Sequence, residues 1–238
     1  MNATLLKVPS LIIAARLLFI GTKPPQKSTK DDNLKLNATF FDRHVGILCQ
    51  LVRMPFLLRV LSECLAVISV AFPMSPAGQQ ALSMTCPSGA TNALNAFSPS
   101  FIVGMALVIF GGGLRIICYR TLGKFFTFEI TIRPDHKIVD IGPYGVVRHP
   151  SYTGSLFLFI GSILIANGPG TYPWACGLAT SSLIIRSLLQ VWSVYLVYCI
   201  YSLLRRGPIE DRGLHAELGK EWENYAKRVP YRFIPGIM

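Results

Sequence analysis

The chain has 238 residues, and its 23 Lys and Arg against 12 Asp and Glu give a formal charge of +11. Charged residues make up 15% of it and hydrophobic ones 51%, with a mean hydropathy of +0.45, whereas a typical soluble domain is about 25% charged. A water-soluble domain, a disordered chain and a disulfide scaffold all fit these figures poorly. They fit a polytopic membrane protein, whose basic excess signals topology rather than a nucleic-acid footprint.

Five stretches have the apolar character of a crossing. The first, Val8–Ile20, is short and carries Arg16. The second, His44–Phe72, is interrupted by Arg53, Pro55, Arg59 and Glu63; Pro55 is expected to bend it, leaving Phe56–Phe72 as the span proper. The third, Phe101–Cys118, contains Gly111-Gly112-Gly113, which reads as close helix packing because no strand precedes it. The fourth, Tyr152–Asn167, ends at Gly168-Pro169-Gly170, and the fifth, Tyr172–Leu204, holds Arg186 near its middle. Together they predict an all-α polytopic transmembrane bundle of five spans, or six if the fifth stretch splits into a hairpin at Arg186.

Charge sorts the loops. Residues 21–43 hold Lys23, Lys27, Lys30, Lys35 and Arg43; residues 119–151 hold Arg120, Lys124, Arg133, Lys137 and Arg148; the tail 205–238 holds seven basic residues, and residues 73–100 carry no charge. By the positive-inside rule the N-terminus and loop 73–100 are luminal and the tail is cytosolic, with five crossings. The chain divides into N-terminal transmembrane helices, 1–118, and a region 119–238 whose polar segments lie on one membrane face. Of six cysteines only Cys86 sits in a polar loop, and no CxxC pair or Cys/His cluster has zinc spacing. They read as small buried hydrophobes, with neither a disulfide framework nor a metal site.

Two clusters carry candidate chemistry. In Gly142-Pro143-Tyr144 through Arg148-His149-Pro150-Ser151-Tyr152, Pro150 suits the first turn of a helix, placing Arg148, His149 and Ser151 where an anionic group is favoured. The plain alternative is interfacial anchoring. In Arg205-Arg206-Gly207-Pro208-Ile209-Glu210-Asp211, Pro208 is expected to start a new helix with the two acids at its positive end.

With Leu122-Gly123-Lys124-Phe125-Phe126-Thr127, Pro134-Asp135-His136-Lys137-Ile138-Val139 and the tail Leu218-Gly219-Lys220-Glu221-Trp222, Tyr225 and Lys227-Arg228-Val229-Pro230, these clusters resemble the isoprenylcysteine carboxyl methyltransferases. Those membrane enzymes methylate the C-terminal prenylcysteine of processed CaaX proteins. The resemblance covers about residues 119–238. It implies S-adenosylmethionine as cofactor, with contacts falling on His136, Lys137, Ile138, Val139, Tyr144, His149, Pro150, Ser151, Tyr152 and Glu210, and Arg206 on the substrate side. Arg206 and His149 are the residues it marks for catalysis. Glu129 lies near a polar contact of the family but differs in type, and Asp211 stands where the family's acidic pair usually has a second glutamate. The resemblance also implies the endoplasmic reticulum membrane and a prenylated protein entering from the lipid, with Arg59 and Glu63 near that route or simply paired on one helix. Two other readings share parts of the pattern: a phospholipid N-methyltransferase, and the membrane sterol reductases, which bind NADPH and have a similar C-terminal ending.

Overall fold

A computed structural model describes residues 3–23, 40–72, 75–86, 94, 97–128 and 137–237. Among them every regular element is helical: α1 (Lys7–Gly21), α2 (Phe40–Ala71), α3 (Pro76–Thr85), α4 (Pro99–Leu122), α5 (Pro150–Asn167), the short α6 (Tyr172–Ala175) and α7 (Leu178–Ser181), α8 (Leu183–Leu218) and α9 (Lys220–Arg228). Four helical stretches are long and apolar enough to cross a membrane: Arg43–Ala71, Pro99–Phe125, Pro150–Ala175 and Leu183–Leu218. The first predicted span is different. α1 has 15 residues, about 22 Å of helix against a hydrocarbon core of about 30 Å.

α1 nevertheless runs most of the way along the bundle. At its start Lys7 Nζ donates to Leu94 O at 3.1 Å and Gly170 O at 2.8 Å; at its end Gly21 O accepts from Tyr119 at 2.7 Å and from Arg115. α2 returns antiparallel, with Glu63 2.9 Å from Lys7. It packs on α8, where Tyr195 donates to Leu48 O at 2.7 Å and Trp192 to Val52 O at 3.3 Å. α4 and α5 form the tightest antiparallel pair. A Cβ on Gly111 would stand 2.5 Å from backbone atoms of Gly154 and Leu158, and one on Gly161 would stand 2.6 Å from Gly104 O. Glycine is what lets these two backbones touch. Gly112 faces Leu17 on α1 instead, and Gly113 faces open space.

Three expectations are corrected. α2 passes through Pro55 as one helix of 32 residues, without an interfacial segment split off before it. α8 passes through Pro208 to Leu218, so no new helix starts there. Proline removes one intrahelical bond, but the flanking residues are held by tertiary contacts: Gly207 packs on Phe233, Glu210 accepts from Tyr152 on α5, and Asp211 bonds to His149 just before it. Finally, Cys86 and Cys176 form a disulfide, with Cα atoms 4.5 Å apart. Their separation of 90 residues hid a proximity that folding creates, as α6 packs under the α3 segment beside Ala66 and Leu94. The fifth stretch holds one helix long and apolar enough to cross, α8, after the two short turns of α6 and α7.

Candidate active site

The bundle has two chemically different ends. At one, Lys7, Arg59 and Glu63 are buried together, and Arg59 also donates to Ile165 O at 2.8 Å. This places the Arg59–Glu63 pair beside the disulfide-linked loops, away from the sequence cluster around His149. Their i,i+4 spacing and burial make them a packing element.

The other end is organised by the start of α5. The turn Gly142–Gly145 leads into His149, the residue preceding the helix, and Pro150 begins the helix without needing an N–H donor. The tail is laced onto this entry. Arg148 N donates to Tyr231 O at 2.9 Å, His149 N to Arg232 O at 2.8 Å and Thr153 Oγ1 to Phe233 O at 2.6 Å. The Arg148 guanidinium adds bonds to Val229 O at 2.9 Å and Pro230 O at 2.8 Å. Tyr225, on α9, donates to Tyr144 O at 2.9 Å. Segments 144–153 and 225–233, about 80 residues apart, thus meet here.

His149 is 6% exposed and sits between two carboxylates. Its Nε2 lies 3.0 Å from Asp211 Oδ1 and its Nδ1 lies 3.7 Å from Glu210 Oε2. The Tyr152 ring is stacked on it with centroids 5.4 Å apart, and Phe233 lies at 5.8 Å. Tyr152 donates its phenol to Glu210 at 2.6 Å, and the Arg206 guanidinium lies 5.9 Å from the same ring, within cation–π range. Gly207 is required by this packing: a Cβ there would stand 2.5 Å from the Phe233 ring.

Beneath this cluster lies a partly open cavity. Its apolar wall includes Leu48, Val52, Phe126, Phe159 and Leu203, and its polar wall is Arg115, Ser151, Tyr152, Ser155 and Arg206. Arg115 is the functional candidate that sequence reasoning missed. It is 6% exposed, and its acceptors are all neutral: Gly21 O, the Tyr119 phenol at 2.6 Å, Ser151 O and Oγ at 3.0 Å, and Ser155 Oγ. A buried guanidinium facing no carboxylate among the described residues makes this wall strongly electropositive. The available signal was a single arginine inside an apolar run.

The structure brings His149, Pro150, Ser151, Tyr152, Arg206 and Glu210 together. Tyr144 lies apart from the cavity, buried with Cys118 and Phe126; burial pushes its phenol well above the ordinary tyrosine value. Lys137, Ile138 and Val139 form an irregular stretch entering the Gly142–Gly145 turn, with Lys137 exposed. His136 and Glu129 fall outside the described residues.

Comparison with known proteins points to two classes of membrane enzyme. Residues 103–191 match the isoprenylcysteine carboxyl methyltransferase (ICMT) family. The chain is 30% identical over 130 residues to protein-S-isoprenylcysteine O-methyltransferase B of Arabidopsis thaliana, covering 53% of this chain and 55% of that one. It is 30% identical over 138 residues to the protein-S-isoprenylcysteine O-methyltransferase of Rattus norvegicus, covering 56% and 42%. It is also 34% identical over 101 residues to a probable 7-dehydrocholesterol reductase of Acanthamoeba polyphaga mimivirus, covering 42% of this chain and 18% of that protein. The chain spans about half the length of the curated methyltransferases it matches. No solved structure matches it.

Proposed function

We propose that this chain transfers a methyl group from S-adenosylmethionine to the α-carboxylate of a C-terminal prenylcysteine, as a protein-S-isoprenylcysteine O-methyltransferase. The observation that carries the reading is the cavity whose apolar wall adjoins two buried guanidinium groups, Arg115 and Arg206, directly beneath the Glu210–Tyr152–His149 cluster. A prenyl chain suits the apolar wall and a carboxylate the cationic one, and that pairing defines the proposed acceptor.

The acceptor needs little activation. Its α-carboxylate, with a pKa near 3.5, is ionised at neutral pH, so the chain's task is orientation and charge placement rather than proton removal. Arg206 and Arg115 hold the carboxylate at the polar wall, while Leu48, Val52, Phe159 and Leu203 exclude water around the lipid stem. Bound S-adenosylmethionine supplies the electrophilic methyl group.

The residues fit that cofactor. The Asp211 side chain is 4% exposed and already meets His149, Arg148 and Arg232, whereas that of Glu210 is 29% exposed and accepts from Tyr152. Glu210 is therefore the carboxylate placed to receive an α-ammonium. His149 and the start of α5 are assigned to the carboxylate end, and residues 136–139 to the adenine side. The face of Tyr152 is assigned to the sulfonium, where a cation–π contribution of about 0.5–2 kcal/mol is ordinary.

We place this end of the bundle in the cytosol and the disulfide end in the lumen of the endoplasmic reticulum. Two independent features support that orientation: the basic loops, and a disulfide at the opposite end, where an oxidising compartment would preserve it. In this reading residues 1–118 supply lipid-facing helices and residues 119–238 the cofactor loop and tail.

The test is methyl transfer by isolated membranes given labelled S-adenosylmethionine and N-acetyl-S-farnesylcysteine. Base-labile label on the acceptor, lost in Glu210→Ala, is expected. Label on phospholipid instead would favour the N-methyltransferase reading. The reductase reading rests on the similar C-terminal ending and on the sterol reductase matches, and NADPH consumption with a sterol substrate and no methyl transfer would put it first.

A further inference from the structure

The proposed cofactor site uses His149, yet no part of that reading explains what holds its ring. The imidazole stands at a crowded junction, stacked on Tyr152 with the planes 9° apart, tilted against Phe233, and close to Gly207. Stacking fixes the plane of a ring but not which edge faces outward. Rotating an imidazole by half a turn about its bond to Cβ puts a ring carbon where each nitrogen stood, so a nitrogen that faced the ligand no longer does.

We infer that Asp211 is the positioning residue of the proposed cofactor site: it locks His149 with Nε2–H inward and Nδ1 presented to the Glu210 side. Asp211 is 3% exposed, and its Oδ1 lies 3.0 Å from His149 Nε2. An ionised carboxylate only accepts hydrogen bonds, so Nε2 must carry the proton. Nδ1 is left facing Glu210 at 3.7 Å, beyond hydrogen-bond distance. The other oxygen of Asp211, Oδ2, accepts from Arg232 Nε at 2.8 Å and Arg148 Nη2 at 3.2 Å. These two cations hold the carboxylate ionised and fix its plane, so its Oδ1 is a rigid stop for the imidazole. The same carboxylate binds the tail to the entry of α5. Asp211 therefore does two jobs, one for each oxygen.

This inference rests on the proposed cofactor site, and the two are separable by experiment. The probe is S-adenosylhomocysteine, which binds without reacting, measured by calorimetry on the full chain in detergent. Asp211→Asn keeps the shape of the side chain and removes its charge; it is expected to weaken S-adenosylhomocysteine about 10-fold, as substitutions behind a functional histidine commonly do. Binding of N-acetyl-S-farnesylcysteine should change less than about 2-fold, and Asp211→Glu should restore most of the loss. Equal weakening of both ligands in Asp211→Asn would make Asp211 a tail clasp only and overturn the inference. Where Asp211→Asn fails to fold, the ¹⁵N shifts of the His149 ring in the unaltered protein decide: Nε2 protonated supports it, and the Nδ1–H tautomer overturns it. Unaltered protein that does not bind S-adenosylhomocysteine removes the cofactor site and this inference with it.

Discussion

Glu210 and Asp211 are adjacent in sequence and differ in almost every physical respect. One meets two arginines and a histidine, while the other accepts a single phenol and keeps an exposed edge. Charged hydrogen bonds contribute about 1.5–3 kcal/mol, so Glu210→Gln should weaken S-adenosylhomocysteine by about 10- to 100-fold in calorimetry while acceptor binding is retained. Arg115 carries a second prediction. Arg115→Met should lower turnover of N-acetyl-S-farnesylcysteine by about 100-fold, the scale of losing one charge-stabilising donor, with S-adenosylhomocysteine binding retained. Full turnover in that variant would return Arg115 to a purely structural role. The motif Arg148-His149-Pro150-Ser151-Tyr152 and the acid pair were readable in the sequence because each sits in a short, distinctive run. Arg115 was not, because its partners Gly21 and Ser151 lie 94 and 36 residues away and nothing local marks their convergence.

At the level of elements, the apolar runs gave the helices and their order, and the exceptions were the two prolines and α1. Proline is a local breaker, and a helix that continues through it must be held from outside. At Pro208 the holding groups come from α5 and the tail, and local sequence does not reveal them. The tail's own attachment has a measurable pH signature. Burial pushes the Tyr225 phenol above the ordinary tyrosine value, and it donates to Tyr144 O at 2.9 Å. The stability tied to that proton is complete below about pH 10, the unfolded value, and is lost as the pH rises from there through the folded value. Thermal melting followed from pH 8 upward should show this step, and Tyr225→Phe should reduce it while costing about 1 kcal/mol at neutral pH. An unchanged alkaline profile in Tyr225→Phe would assign the step to other groups.

For the molecule as a whole, hydropathy and charge were enough to read an all-α bundle with helices long and apolar enough to cross a membrane, but not the link between Cys86 and Cys176. Composition treats both as apolar residues, and only the packing of α6 beneath the α3 segment makes them neighbours. Non-reducing thiol labelling of the denatured chain should find Cys86 and Cys176 blocked until a reductant is added. Cys86→Ala should free Cys176 and lower stability by about 2–4 kcal/mol, the usual range for a lost disulfide. Labelling of both without reductant would discard the link. Overpacking between α4 and α5 offers a further test: Gly111→Val should reduce stability by about 1–3 kcal/mol, read by melting in detergent.

The glycine contacts between α4 and α5 also act as a gauge. Gly104 meets Gly161 and Gly111 meets Gly154, so the two helices touch at points two turns apart on each. Arg115 comes one turn beyond Gly111, and Ser151 just before Gly154, so the spacing that sets backbone contact also sets where the buried guanidinium meets the hydroxyls of α5. A methyl group added at Gly104, about three turns along α4 from Arg115, would push these helices apart or along one another and misplace the cation. Random mutagenesis for lost turnover should therefore return such remote glycine changes among chains that still fold and reach the membrane, with defects that look like altered substrate handling.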